Sequence, residues 1–216
     1  MRIGLLGTGM AGQTVGSRLV EVGHDVVMGA RDAANPRAVE WAATTSGGRA
    51  GTFADAAAHG EVLVNATSGA GSLDALAAAG APNIAGKVLV DIANPLDFSG
   101  GFPPSLTVVN TDSLAERIQR AYPDARVVKT LNTVNADIMV RPDRVPGEHD
   151  VFVAGDDTDA KGTVRELLRA FGWPDGSIID LGGLQAARGM EMYLPLWLNL
   201  MGTLGTATFN IKVVRG

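Results

Sequence analysis

The sequence of 216 residues contains no cysteine, which excludes disulfides, thiolate metal sites and cysteine nucleophiles. It has only three histidines, His24, His59 and His149, which lie far apart and lack the spacing of zinc ligands. Basic residues are in the minority, with 18 Lys and Arg against 23 Asp and Glu, and they form no basic tract. We therefore expect no metal site and no nucleic-acid partner.

Long hydrophobic runs are also scarce. Residues 192–211 carry no charge and are about as long as a membrane span, but they include Pro195, Gly202 and Gly205. We interpret this stretch as a buried core helix or a subunit-contact helix, with no membrane association. The chain begins on a strand pattern without a signal-peptide cleavage site, and we expect a cytoplasmic protein.

Apolar residues make up 46% of the chain, enough for one large domain with a small appendage. Short apolar runs alternate with helical patterns, which predicts a Rossmann-type α/β fold with a doubly wound, mostly parallel sheet. The predicted strands are Ile3–Leu6, Asp25–Met28, Arg49–Thr52, Val62–Asn65, Val88–Asp91, Arg126–Thr130, Val151–Ala154 and Ile178–Leu181. The predicted helices are Met10–Val22, Pro36–Thr45, Phe53–His59, Ser72–Ala79, Asp112–Ala121 and Thr158–Phe171. Asp112 or Ser113 is expected to cap the fifth of these helices, and Thr158 or the preceding Asp156-Asp157 the sixth.

The pattern changes from Leu184 onward, where apolar residues recur at helical spacing. This predicts one long helix, kinked or restarted at Pro195 and followed by a strand-like segment, Phe209–Val214. We divide the chain into a Rossmann domain, residues 1–182, and a C-terminal helical appendage, residues 183–216. We expect the appendage to complete the substrate pocket and to form a homodimer interface, because a large apolar face should not remain in water.

The segment Gly7-Thr-Gly9-Met-Ala-Gly12 follows the first predicted strand and opens the first predicted helix. In that context G-x-G-x-x-G indicates dinucleotide binding: Gly7 permits a tight turn, Gly9 lets backbone approach a pyrophosphate, and Gly12 lets helix pack on strand. The amides at the start of the helix then face the phosphates. The expected cofactor-binding residues here are Gly7, Thr8, Gly9, Met10, Ala11 and Gly12. The alternative is a glycine-rich turn that only packs, as we interpret Gly16.

The end of the second strand selects the dinucleotide. An acidic residue there would bind the ribose 2′-hydroxyl of NAD, but the position is Ala30, followed by Arg31. A guanidinium binds a 2′-phosphate through two parallel hydrogen bonds, so Ala30 and Arg31 favour NADP(H). The alternative for Arg31 is a solvated arginine or a partner of Asp32, which we interpret as a helix cap.

The sequence offers no clear proton donor. Neither Tyr122 nor Tyr193 has a lysine four residues later, so the Tyr-x-x-x-Lys acid of short-chain reductases is absent. Lys129 and Asn132 are weak catalytic candidates for polarising a carbonyl, and Lys129 is equally interpretable as a strand-edge lysine that extends to solvent. We expect hydride transfer by positioning, with the cofactor supplying the chemistry, or else a non-catalytic NADP sensor.

Ligands of such folds lie at the carboxyl ends of the strands, so the loops after the strands supply further candidates. Thr67, Ser68 and Asn94 are expected at the cofactor, although Thr67 and Ser68 also fit an ordinary turn. The expected substrate-binding residues are Pro95, Asn132, Thr133 and Val134, with Leu204 from the appendage.

Several motifs resemble the coenzyme F420-dependent NADP oxidoreductases. They are Ile3-Gly-Leu-Leu-Gly-Thr-Gly9, Gly23-His-Asp-Val-Val-Met-Gly-Ala-Arg31, Val127-Val-Lys-Thr-Leu-Asn-Thr133, Ala154-Gly-Asp-Asp157, Leu194-Pro-Leu-Trp-Leu-Asn-Leu-Met201 and Ile211-Lys212. The resemblance runs nearly end to end and implies NADPH on the N-terminal fold, with an F420-like deazaflavin beside the nicotinamide. It also places the glycine-loop threonine at Thr8 and the 2′-phosphate arginine at Arg31.

The chain departs from the pattern of that family on the acceptor side. The family's serine at the 2′-phosphate corresponds to Ala30, and its Leu-His-Thr-Ile-Pro segment reads Leu131-Asn-Thr-Val-Asn135. The small-molecule acceptor is therefore expected to be a deazaflavin, with an imine, a carbonyl, a flavin or a ferric chelate as alternatives.

Overall fold

Eight strands form a single sheet in the computed structural model, which describes all residues from Met1 to Gly216. They are β1 (Arg2–Leu6), β2 (Asp25–Ala30), β3 (Gly48–Thr52), β4 (Val62–Asn65), β5 (Val88–Asp91), β8 (Arg126–Thr130), β9 (Val151–Ala154) and β10 (Ile178–Asp180). β6 (Leu96–Asp97) and β7 (Ser105–Leu106) pair separately as a short antiparallel ribbon.

The sheet has the strand order β3-β2-β1-β4-β5-β8-β9-β10. The first six strands are parallel, β9 runs antiparallel to β8, and β10 is parallel to β9. The strand order reverses between β1 and β4, and sheets of this kind bind ligands in a crevice outside the carboxyl ends of the strands at such a point. This confirms the predicted Rossmann-type, mostly parallel fold.

Helices cover both faces of the sheet, as a parallel sheet buried on both sides requires. They are α1 (Met10–Glu21), α2 (Pro36–Thr44), α3 (Phe53–His59), α4 (Ser72–Ala79), α5 (Ala81–Ile84), α6 (Leu114–Ala121), α7 (Ala136–Val140), α8 (Thr158–Phe171), α9 (Ala187–Met192) and α10 (Leu194–Leu204). One apolar core lies under α1, α2, α7 and α8, and the other lies under α3 to α6 and α9.

Side-chain caps fix where several helices begin. Asn35 accepts hydrogen bonds from the amides of Arg37 and Ala38 at the start of α2, and Ser113 caps α6 as predicted. Asp157 caps α8 through the Ala160 amide, which confirms the prediction for Asp156-Asp157 and not the one for Thr158. The expectation failed at Thr158 because the carboxylate one residue earlier already satisfies the first turn.

The C-terminal region is helical and follows the predicted division at Pro195, which lies in the first turn of α10. Only Leu194 of α10 is buried. No helix of the structure has the length and apolar character needed to cross a membrane. The predicted strand Phe209–Val214 is wrong: this tail is irregular and is held by hydrogen bonds to the buried residue Asp150.

Candidate functional site

The glycine loop after β1 combines two crowded glycines with one open position. Gly7 has φ +119°, and a Cβ there would lie 2.5 Å from the Ala66 carbonyl oxygen. A Cβ at Gly12 would lie 2.4 Å from the Gly7 carbonyl oxygen, so helix α1 packs directly on the loop. At Gly9 φ is −73°, and a Cβ would meet no protein atom within 4 Å. Packing therefore requires Gly7 and Gly12, whereas the surface at Gly9 is left clear for a ligand.

The N-terminus of α1 faces this clear surface. No side chain caps the helix, and no acidic residue lies in its first turn. The amides of Met10, Ala11 and Gly12 therefore remain without protein acceptors. Such amides, together with the positive end of the helix dipole, bind phosphate groups.

Arg31 follows the last residue of β2 and is exposed, with no hydrogen bond or ion pair to its guanidinium. Ala30 is buried, so only its backbone is able to face a ligand. Asp32 accepts from the Ala34 amide. It neither pairs with Arg31 nor caps α2, so our interpretation of Asp32 as a helix cap is wrong. The guanidinium is therefore free to bind a ligand, and Arg31 stays a predicted 2′-phosphate ligand.

The loop after β4 is tied inward by a polar network. The Thr67 hydroxyl lies 2.7 Å from Asn65 Oδ1 and 2.8 Å from Ser72 Oγ, and Asn65 Nδ2 donates to Asp91 Oδ1 at 2.8 Å. The expectation that the Thr67 side chain donates to a phosphate or ribose is therefore wrong, because its proton is engaged within the protein. Ser68 is exposed and its hydroxyl is free, so Ser68 stays a predicted ligand.

The loop after β5 meets the loop after β8. Asn94 Nδ2 donates to the Asn132 carbonyl at 2.9 Å, and Asn132 Nδ2 donates to Asn94 Oδ1 at 2.9 Å. Asn94 is half-buried and Pro95 is buried beside it. These two residues therefore form a rigid wall at the edge of the crevice, where we predicted cofactor and substrate contacts.

Lys129 is completely buried and lies between two carboxylates. Its Nζ is 2.9 Å from Asp91 Oδ2 and 2.8 Å from Glu191 Oε1, and it also donates to the Ala93 carbonyl. All three N–H groups of the ammonium are thus used. Both expectations for Lys129 are wrong: it does not extend to solvent, and it has no donor left to polarise a substrate carbonyl.

This buried triad of Lys129, Asp91 and Glu191 carries one more negative than positive charge. Burial raises the pKa of the Glu191 carboxyl, and the neighbouring ammonium offsets this only in part. Burial acts to lower the pKa of Lys129, but the two carboxylates outweigh it and raise that pKa above its ordinary value. Glu191 also accepts from the amides of Leu114 and Ala115 at the positive end of α6, which disperses its charge.

Three of the remaining predicted substrate residues are buried, and the fourth, Leu204, is exposed. Asn132 and Thr133 are each 2% exposed and Val134 is 6% exposed, within the apolar core. Leu131, which precedes this segment, has a left-handed backbone (φ +60°). Thr133 and Val134 stay predicted substrate-binding residues. Leu204 is 55% exposed at the end of α10.

Sequence reasoning missed Asp91 and Glu191. Each had a signal: Asp91 ends an otherwise apolar strand, and Glu191 stands between Met190 and Met192 in an otherwise apolar stretch. A charge that interrupts a buried apolar run needs a partner of opposite sign. Lys129, also isolated in an apolar strand, was the available partner.

A family model described as "NADP oxidoreductase coenzyme F420-dependent" matches residues 2–95 of the chain. The F420-dependent NADP reductase of Methanothermobacter marburgensis is 32% identical over 211 residues, which cover 93% of this chain and 92% of that protein. The crystal structure of an Arthrobacter sp. FB24 protein, to which the function of an F420-dependent NADP reductase is ascribed, superposes on this chain with a TM-score of 0.95. The two sequences are 52% identical. That alignment covers 100% of both chains.

A second kind of relative is much longer. The metalloreductase STEAP3 of Rattus norvegicus is 30% identical over 211 residues, which cover 91% of this chain. This chain spans only 38% of the length of that protein.

Proposed function

The chain belongs to the family of coenzyme F420-dependent NADP oxidoreductases, and we propose that it transfers a hydride between NADP(H) and a deazaflavin ring of the F420 type. The membership makes it an NADP-dependent oxidoreductase. The observation that carries the proposal is the open surface at Gly9, which faces the free amides of α1. The unpaired Arg31 guanidinium adds a group for the 2′-phosphate.

The residues present fit NADP(H). The α1 amides would hold the pyrophosphate, Arg31 would hold the 2′-phosphate, and Ser68 is available to a ribose or phosphate oxygen. Bound NADPH supplies the hydride at its nicotinamide ring. The crevice between β1 and β4 would place that ring near the Asn94–Pro95 wall.

The acceptor site lacks an exposed side-chain acid. Lys129 and Glu191 are buried and engaged with each other, and the Asn132 side chain is buried. A ring that accepts hydride directly, as a deazaflavin does, suits such a site because protein groups need only position it and exclude water. We propose that the C-terminal region, from α9 onward, completes this acceptor site.

The test of this proposal is the reduction of oxidised F420 by NADPH with the purified protein. One hydride from NADPH and one proton from solvent reduce the deazaflavin, so its visible absorbance should bleach in step with NADPH loss. No turnover at any pH, with NADPH shown to bind, would refute the deazaflavin as acceptor.

A second acceptor class is favoured by one observation, the extensive match to a protein named metalloreductase. Reduction of a flavin, a ferric chelate, an imine or a carbonyl by the same bound NADPH is the alternative. A panel of these acceptors, with F420 as reference, distinguishes the two. NADPH oxidation by one panel member with F420 inert would establish the alternative.

Replacing Arg31 with alanine should weaken NADPH binding while NADH binding hardly changes. Loss of one charge-assisted contact corresponds to roughly 1.5–3 kcal/mol, or about 10- to 150-fold in Kd. Isothermal titration calorimetry with both nucleotides measures the effect. Arg37→Ala, at a second exposed arginine near the start of α2, is the matched control and should bind both normally. Equal losses for NADPH and NADH in Arg31→Ala would contradict the role.

We also propose that two copies associate through α10. Leu196 and Leu204 of α10 are exposed by 54% and 55%, and Met192 at the end of α9 by 36%, although α10 is apolar along nearly its whole length. A second copy that places its own α10 on this face would remove both apolar surfaces from water. Light scattering should give the mass of a dimer, and Leu196→Glu should give that of a monomer. A monomeric mass for the unmodified chain at micromolar concentration would contradict the dimer.

A further inference from the structure

Two polar side chains of the β8 segment connect the same two parts of the molecule. Lys129 holds Asp91 and the Ala93 carbonyl on one side and Glu191 of α9 on the other. We call Lys129 and Asn132, with their hydrogen bonds, the β8 bridge.

Asn132 repeats this connection three residues later. Its Nδ2 donates to Asn94 Oδ1 at 2.9 Å and to the Met190 carbonyl of α9 at 3.0 Å. The Asn94 amide returns a hydrogen bond to the Asn132 backbone carbonyl. The end of β5 with the loop that follows it, residues 91–94, and the end of α9, residues 190–191, are therefore fastened to the β8 segment at two successive points.

The backbone between the two bridge residues is strained. Leu131 has φ +60°, a conformation that bulky residues rarely adopt, and the Asn132 amide donates to the Thr130 carbonyl at 2.7 Å across it. Such strain persists only where the surroundings over-determine the conformation, and it concentrates at functional sites. At this turn the side-chain amide of Asn132 lies between Asn94 and Met190 and donates to both.

Both bridge side chains are closed off from solvent, and Asn132 Oδ1 is buried without a hydrogen-bond partner. Lys129 is completely buried, Asn132 is 2% exposed, and every N–H of the Lys129 ammonium already has an acceptor. Stability alone does not explain the buried charges, because well-packed apolar residues of similar volume often serve as well or better. What charges and amides add is a fixed geometry between the groups they join.

We propose that the β8 bridge is a positioning device, which keeps the loop after β5 and α9 at a fixed separation and orientation. This rests on the proposed function: the loop lies at the carboxyl edge where the nicotinamide would bind, and α9 leads into the region proposed to hold the acceptor. The bridge then sets the distance between hydride donor and acceptor. Lys129 and Asn132 are positioning residues, not catalytic ones.

The central variant is Asn132→Ala, which cuts one link without leaving an unpaired buried charge. The rate of hydride transfer, measured in a single turnover by stopped flow, should fall by about 100-fold, since small displacements of reacting groups cost this much. The NADPH Kd should stay within about threefold, because the groups that hold the nucleotide are elsewhere. The primary isotope effect with C4-deuterated NADPH should become more dependent on temperature.

Thr130→Val is the matched control. Thr130 lies between the two bridge residues on the same strand and is equally buried, but its hydroxyl donates to the Phe152 carbonyl and joins neither the β5 loop nor α9. Its hydride-transfer rate should stay within about threefold of the unmodified protein. An equal loss of rate in Thr130→Val and Asn132→Ala, or an unchanged rate in Asn132→Ala, would overturn the proposal.

Hydrogen exchange gives a readout that needs no acceptor. In the unmodified protein, NADPH should slow amide exchange both in residues 92–94 and in α9. In Asn132→Ala only the first segment should respond.

Glu191→Gln, a second variant that keeps the side-chain shape while weakening the Lys129 link, should show a smaller loss of the α9 response. If the unmodified protein binds NADPH but never reduces F420, the proposed function is refuted. The exchange pattern still tests whether the β8 bridge couples the loop after β5 to α9. An α9 response that persists in Asn132→Ala would overturn it.

Discussion

Replacing Lys129 with methionine should destabilise the protein by about 3–5 kcal/mol at neutral pH, the usual cost of removing one partner from a buried ion pair. Methionine fills much of the lysine volume, so the loss does not come from a cavity. It comes from Asp91 and Glu191, which would remain buried as carboxylates without their cation. Urea unfolding followed by circular dichroism measures the change in the free energy of unfolding.

The pH dependence of this loss identifies its origin. Burial raises the Glu191 pKa above its ordinary value of 4.5 even with Lys129 present, and removal of the cation should raise it further. A carboxyl whose folded pKa lies above its unfolded pKa favours folding when protonated, and that advantage is lost as pH rises from the unfolded pKa through the folded one. The deficit of Lys129→Met should therefore be small near pH 4.5 and grow toward neutrality.

Lys161→Met is the control for a lysine at a more exposed ion pair. Lys161 Nζ lies 3.0 Å from Asp180, whose side chain is 41% exposed. Its loss should cost about 1 kcal/mol or less. A double variant, Lys129→Met with Glu191→Gln, should recover part of the Lys129→Met deficit because one buried charge is removed. A deficit below about 1 kcal/mol for Lys129→Met at neutral pH would show that the carboxylates do not need the ammonium.

Replacing Gly9 with alanine should abolish tight NADPH binding while the fold stays intact. The backbone at Gly9, φ −73° and ψ 177°, suits any residue, and the added Cβ meets no protein atom within 4 Å. The methyl group would instead occupy the surface that the pyrophosphate approaches. We expect the NADPH Kd to rise by about 100-fold or more, equivalent to about 2.7 kcal/mol, with at most about 1 kcal/mol lost in stability at this N-cap position.

Alanine variants at two further glycines distinguish an effect on NADPH binding from an effect on folding stability. Gly7→Ala should lose stability as well as binding, because φ is +119° and its Cβ would collide with the Ala66 carbonyl. Gly162→Ala, in α8 with open space around its Cβ, should bind normally and gain about 0.5–1 kcal/mol from helix propensity. Calorimetry and thermal unfolding of the three variants measure both quantities. Unchanged NADPH affinity in Gly9→Ala would show that the glycine loop is not the pyrophosphate site.

Local sequence patterns predicted most of the fold. Four predicted strands, beginning at Val62, Val88, Arg126 and Val151, agree with the structure at both ends, and β1, β2, β3 and β10 differ by one or two residues. The four strands that agree at both ends are buried along nearly their whole length, so their residues form short, mostly apolar runs that are easy to recognise. The tail Phe209–Val214 was mispredicted because its apolar residues resemble a strand, whereas its backbone hydrogen bonds go only to Asp150, just before β9, and do not continue into a ladder.

The environment of a site residue was predicted correctly where it is set by residues nearby in the sequence, and wrongly where it is set by residues far away in the sequence. The glycine loop and Arg31 depend on neighbouring residues and on the turn they form, and the structure leaves both free for a ligand. Thr67 and Lys129 were misinterpreted because their partners, Asn65 with Ser72 and Asp91 with Glu191, are decided by packing. From the sequence alone, a polar side chain that is hydrogen-bonded inside the protein cannot be distinguished from one that is free to bind a ligand.

A Rossmann-type sheet, a dinucleotide loop and a preference for NADP(H) each follow from residues close together in the chain, and so could be predicted before the structure. The contacts that join Lys129 to Asp91 and Glu191, and Asn132 to Asn94 and Met190, are visible only in the folded chain. Those contacts link the end of β5, the end of β8 and α9, which are distant in sequence. Folding brings them to one edge of the sheet, where low dielectric makes an unpaired charge costly and so fixes the pairing.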